Sequence, residues 1–78
     1  MSQIYDIFRR AIGITKEQFR NDYGSNEIEK WDSLGHLHLI SQLEDEFDVE
    51  FDIKQINSMK TIGDVKDALA DIGIKLDD

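Results

Sequence analysis

Along most of this chain a hydrophobic residue returns every third or fourth position, the spacing of a single helix face. Ile4, Ile7, Phe8, Ala11 and Ile12 fall at i, i+3, i+4, i+7 and i+8 and predict a first amphipathic helix, with Gly13 placed to stop it. Leu37, Ile40, Leu43 and Phe47 form a second stripe behind Ser33. A third long helix carries Ile62, Val65, Leu69 and Ile72. Thr61-Ile-Gly-Asp64 is a capping-box pattern at its start, and Gly73 a C-cap at its end. Between the last two helices, Asp52 can cap a short turn bearing Ile53 and Ile56. Val49-Glu50-Phe51 alternates over too few residues to make a strand. The predicted fold class is all-α, a helical bundle.

Residues 13–32 break this rhythm and are long for a helix connection, where about two to eight residues are usual. They are not featureless. Thr15-Lys-Glu-Gln18 can cap one helical turn, and Ile14, Phe19, Tyr23, Ile28 and Trp31 can pin the loop to the core. Trp31 is expected to be a core anchor, as large aromatic residues usually are. No internal repeat or Pro- or Ser-rich linker divides the chain, so residues 1–78 are expected to form one domain.

On a wheel turning about 100° per residue, His36, Leu37, Leu39, Ile40, Leu43 and Phe47 share the inward arc of the second helix. Leu34, His38, Ser41, Gln42, Asp45 and Asp48 take the outward arc. Leu34 is thus an apolar side chain pointing outward beside the Ser33 hydroxyl, at a helix entrance rimmed by acids. That arrangement reads as a docking patch. His36, turned inward, is expected to be a core histidine whose ring needs a hydrogen-bond partner.

Charge sharpens this picture. The net charge is −8, yet residues 1–31 are neutral, with Arg9, Arg10, Lys16, Arg20 and Lys30 against Asp6, Glu17, Asp22, Glu27 and Glu29. The whole excess lies from Asp32 onward, and Glu44, Asp45, Glu46, Asp48, Glu50 and Asp52 crowd together without a base. Such a surface repels nucleic acid and anionic lipid and attracts basic protein patches. With no cysteine, neither a disulfide nor a Cys-ligated metal site is possible. The Met-Ser-Gln-Ile-Tyr-Asp start lacks a signal-peptide pattern, and no apolar run approaches the roughly 20 residues of a membrane span. A cytoplasmic monomer, engaging neither membrane nor nucleic acid, is expected.

Catalytic readings of Ser33 are poor. A serine nucleophile needs a base, a group orienting that base, and an oxyanion hole. Here no G-x-S-x-G elbow is present, and His36, the near candidate, turns inward. His36 and His38 lie about 200° apart on a helix and cannot share a metal. Asp48-x-Glu50-x-Asp52 lacks the Gly and Glu of a calcium loop, with Ile53 and Met59 in their places. No metal and no catalytic residue is expected. What remains is that Ser33 is modified by another protein. A phosphate ester there would lie on free N–H groups at the positive end of the helix dipole, whereas the plainer alternative makes Asp32 or Ser33 simply the N-cap.

Asp32-Ser33-Leu34, then Leu37, Leu39-Ile40 and Leu43-Glu44-Asp45-Glu46-Phe47, resembles the attachment helix of acyl carrier proteins, and the likeness continues through Glu50-Phe51-Asp52 to Thr61-Ile62-Gly63-Asp64-Val65. The resemblance implies a four-helix bundle of three long helices and one short, with a long first loop. It implies that a phosphopantetheinyl transferase moves 4′-phosphopantetheine from coenzyme A onto Ser33, and that acyl-loading and acyl-accepting enzymes use the thioester on that arm. The protein would be a carrier and not an enzyme. Carried over by position, Asp32, Leu34, Leu37, Glu44, Asp45 and Phe51 would meet partners, with Leu37 and Phe51 equally readable as core; His38, outward among acids, is a further contact. His36 could line the cavity beside the cargo. Gly35 and His38 stand where carriers of fatty acid synthesis commonly have acids, and the usual Pro before Asp52 is missing. These departures resemble free-standing carriers of specialised pathways, such as polyketide, modified-malonate or surface-polysaccharide synthesis. A housekeeping or aminoacyl carrier, or an unmodified acidic interaction module, is the alternative.

Overall fold

Four α-helices occupy the periodic stretches: α1 Gln3–Ile12, α2 Ser33–Phe47, α3 Ile53–Ser58 and α4 Ile62–Asp71. The computed structural model describes residues 3–75; Met1, Ser2 and residues 76–78, at the two ends of the expected domain, lie outside the described residues. Among the described residues, extended pairing is limited to one isolated bridge, Gly24 to Thr61.

The ends of these elements follow from local side-chain chemistry. The Gly13 N–H donates to the Arg9 carbonyl at 2.9 Å and closes α1. In the loop, Thr15 and Gln18 form a complete capping box around a 3₁₀ turn, Lys16–Gln18. Asp52 with Gln55 does the same for α3, and Thr61 with Asp64 for α4. Past α4, the Gly73 N–H reaches the Ala70 carbonyl and the Ile74 N–H reaches that of Leu69, the paired bonds of a Schellman end.

Ile4, Ile7 and Phe8 of α1, Leu39 and Leu43 of α2, and Ile62, Val65 and Leu69 of α4 are fully buried and make the centre of the core. Residues 13–32 close one side of it. Ile14, Ile28 and Trp31 are buried, and Phe19 and Tyr23 pack against the core partly exposed. Rings meet edge to face along this seam, Tyr5 with Phe19 at 5.2 Å and Phe8 with Trp31 at 5.4 Å between centroids. The loop backbone is tied to the start of α4: Ser25 N–H to the Lys60 carbonyl, Ile62 N–H to Tyr23, and Gly63 N–H to Asn21. These bonds satisfy main-chain groups that a long connection would otherwise leave unpaired.

One wheel assignment is corrected. Leu37, expected on the inward arc, is 60% exposed. It lies about 60° from Leu34 but about 100° from His36 on the wheel. Since α3 meets α2 at His36, Leu37 stays on the Leu34 face, outside the core. No helix among the described residues is long and apolar enough to cross a membrane.

Candidate functional site at the entrance of α2

Ser33 is the first residue of α2 and is exposed. Asp32 before it is the N-cap: its Oδ1 accepts the Gly35 N–H at 2.9 Å, and its carbonyl accepts the His36 N–H at 2.8 Å. The choice between Asp32 and Ser33 as cap is therefore settled for Asp32, which frees the serine side chain. It also modifies the anion-site expectation. The Asp32 carboxylate already occupies the positive end of α2, so a phosphate on Ser33 would share that end with a like charge, and helix geometry leaves it the N–H groups of Ser33 and Leu34.

Gly35 has a packing cause. A Cβ at this position would lie 2.1 Å from the Lys30 carbonyl oxygen and 3.1 Å from Cγ2 of Ile12. The first turn of α2 thus rests directly on the chain segment that leads into it. Only glycine permits that approach.

His36 is the joint of the site. Trp31 Nε1–H donates to its Nδ1 at 2.8 Å, while its Nε2 lies 2.7 Å from the Ile56 carbonyl oxygen. Because the indole can only donate and the carbonyl can only accept, the imidazole holds its proton on Nε2. The Trp31 and His36 rings are nearly coplanar, 24° apart with centroids at 6.1 Å, as an edge-to-edge hydrogen bond requires. One side chain so links the loop end, α2 and α3, and both of its nitrogens are committed. It is unavailable as a base for Ser33.

Two clefts flank the serine. On one side Trp31, Ser33, His36, Ile56, Asn57 and Met59 surround an opening of about 340 Å³. On the other, a cleft of about 340 Å³ runs between the end of α1 and the start of α2, bordered by Arg9, Arg10, Lys30, Leu34 and His38. Arg9 and Arg10 come from α1 and Lys30 from the loop before α2, and a tally along the chain, neutral over residues 1–31, hides their convergence.

Asp32, Ser33, Leu34, Leu37 and His38 are all exposed on the first two turns of α2, and Asp45 is exposed near its end. Glu44 is only partly exposed and has an internal task, since its Oε2 accepts the Phe51 N–H at 2.9 Å. Phe51, carried over as a partner contact, is 7% exposed and belongs to the core. The Glu44 bond turns the chain inward at that point. Sequence reasoning missed Arg9, Arg10 and Lys30, and also Ile53, which is 72% exposed despite its place beside Ile56 in a capped helix. A six-residue helix has too few turns for periodicity to assign its faces.

The described residues thus form a four-helix bundle with an exposed serine hydroxyl at the entrance of the second helix, beside a cleft. The chain belongs to the phosphopantetheine attachment site family, whose model matches residues 2–69. Its structure is similar to that of a Mycobacterium tuberculosis protein described as an acyl carrier protein, with a TM-score of 0.77 and 29% identity, over 88% of this chain and 92% of that one. It is an acyl-carrier-type protein with no catalytic activity of its own, and the group its family carries is 4′-phosphopantetheine.

Proposed function

We propose that Ser33 carries the 4′-phosphopantetheine arm and that the chain presents acyl thioesters on it to partner enzymes of a specialised biosynthetic pathway. The observation that supports this best is the exposed Ser33 hydroxyl at the start of α2, released from capping by Asp32 and opening on a cleft. The site fits the group: its point of attachment is accessible, and the surface beside it has room for a chain. The bound arm would supply the thiol that this cysteine-free sequence lacks. In the attachment step the Ser33 oxygen bonds to the phosphorus next to pantetheine, the pyrophosphate bond of coenzyme A breaks, and 3′,5′-ADP leaves. The hydroxyl proton passes to a base of the transferase, since His36 has no free nitrogen.

Asp32, Leu34, Leu37, His38 and Asp45 form the partner face in this reading, with Glu44 at its edge and Ile53 added from α3. Exposure of Leu34 at 63% and Leu37 at 60% supports it, because two neighbouring apolar side chains held in water are apt to be covered by a partner. The specialised-pathway reading now leans on His38 and on the missing Pro before Asp52. The remaining departure from the pattern of fatty-acid-synthesis carriers, Gly35, is accounted for by packing. His38 stands with Arg9, Arg10 and Lys30 on the α1 side of Ser33, so partners approaching from there meet a basic edge on an otherwise acidic protein.

Incubation with coenzyme A and a broad-specificity phosphopantetheinyl transferase, followed by intact mass, tests the assignment. One phosphopantetheine should be added, and Ser33→Ala should abolish the addition. An unmodified wild type, with activity in its pathway untouched by Ser33→Ala, would instead make the chain an acidic interaction module.

A further inference from the structure

The cleft between the loop and α3 says something about the cargo. Ile56, Met59 and Trp31 give it an apolar lining, and Ser25, Asp32, Ser33 and Asn57 a polar one. The Trp31 indole and both His36 nitrogens already satisfy one another or the Ile56 carbonyl. With Ser33 taken up by the arm, hydrogen bonding to anything lying in the cleft falls to Ser25 and Asn57 and, at the Ser33 end, to the Asp32 carboxylate, all three exposed. The way inward is closed. Trp31 and Met59 are 2% exposed, and Leu39 and Leu43 behind them are fully buried. For a chain to pass from Ser33 between α2 and α3, the His36 link to Ile56 must open. The buried indole N–H and the carbonyl would then risk losing their partners, which is costly in a desolvated site.

We propose that this cleft receives a short acyl group bearing hydrogen-bonding substituents, folded back along its arm. The Trp31–His36–Ile56 chain of hydrogen bonds keeps a long alkyl chain out of the core. This rests on the reading of Ser33 as the attachment point. Ser25 and Asn57 recognise the polar substituent, Ile56 and Met59 cover the short carbon skeleton, and His36 is a positioning residue that selects cargo by holding α3 against α2.

The test is to load Ser33 from coenzyme A and from its 3-hydroxybutyryl and octanoyl thioesters. Intact mass confirms each form, and melting temperatures and amide and indole NMR signals are then compared. The hydroxybutyryl form should shift Ser25, Asn57 and the Trp31 indole N–H beyond their positions with the bare arm, and Asn57→Ala should remove that extra shift. The octanoyl form should leave Leu39 and Leu43 unmoved and should melt within about 2 °C of the bare-arm form. In Trp31→Phe, which keeps a ring but lacks the donor, octanoylation should become stabilising relative to that variant's own bare-arm form. A rise of more than about 5 °C on octanoylation of the wild type, with shifts at Leu39 and Leu43, overturns the barrier. Hydroxybutyryl spectra identical to those of the bare arm overturn the cleft as a cargo site and assign it to the arm. Failure of any form to gain mass is a separate result, which removes the attachment reading itself.

Discussion

At the scale of single residues, the site is shaped by what the backbone around Ser33 allows. Alanine is normally the better helix former, and Gly→Ala in an open helix interior would gain about 1 kcal/mol. At Gly35 the added methyl would come within 2.1 Å of the Lys30 carbonyl oxygen, a main-chain atom that cannot swing away. Gly35→Ala is therefore expected to destabilise the fold by about 2 kcal/mol or more, read as a lower urea midpoint at unchanged slope. A neutral or stabilised variant would show that α2 and its approach segment separate easily. The contrast with the capping residues shows what a sequence can carry. Asp52, Thr61 and Asp64 act on N–H groups three positions away, so their roles were readable in the order of residues. Gly35, Leu37 and Phe51 take theirs from distant neighbours: the Lys30 carbonyl, the side of α2 that α3 covers, and the Glu44 carboxylate. No spacing rule reaches those.

At the scale of elements, α2 and α3 are joined by a short connection whose first residue is strained. Asp48 ends α2 with φ of 55°, and its N–H and that of Val49 both go to the Glu44 carbonyl. This left-handed conformation is ordinary for glycine and costs other residues on the order of 1 kcal/mol. Asp48→Gly should raise stability by about 0.5–1 kcal/mol, visible as a higher urea midpoint, with the proposed phosphopantetheine addition at Ser33 unchanged. A loss of stability would mean that the Asp48 side chain contributes more than its backbone costs. The helix that follows has only six residues and could not persist alone in water. Its capping box, the buried Met59 after it and the His36 bond to Ile56 hold it in place. The sequence showed the cap but not the fastening, since nothing in the order of residues pairs position 36 with position 56. The 13–32 loop was better marked, because its aromatic and aliphatic anchors stood out among polar residues. Its backbone bonds to the start of α4 did not, since main-chain pairing leaves no trace in side-chain identity beyond Gly24.

At the scale of the whole molecule, the charge is arranged as two unequal regions around Ser33. Arg9, Arg10 and Lys30 gather on the α1 side, while six acids fill residues 44–52 at the far end of α2 and the start of α3. Neutralisation across that divide is slight. Arg10 lies 3.6 Å from Glu46, and Gln3 donates to the same carboxylate, but the ion pair is exposed and such pairs are worth little. Repulsion among the remaining acids acts on the folded form more than on the open chain, because folding holds them close. Raising salt from about 0.01 to 0.15 M shortens the screening length from about 30 to about 8 Å, so the melting temperature should climb by roughly 4 °C if about 1 kcal/mol of repulsion is removed. The cause can be separated from a general salt effect by the pair Asp45→Asn and Glu50→Gln, both at exposed positions. Combined, they should raise the melting temperature at low salt and flatten its dependence on salt. An undiminished salt response in that double variant would place the repulsion elsewhere. A flat response in the wild type would mean that the basic edge beside Ser33 already balances the acidic end. In that case the two regions would matter chiefly for how a partner is oriented as it docks, with its own acids toward α1 and its bases toward residues 44–52.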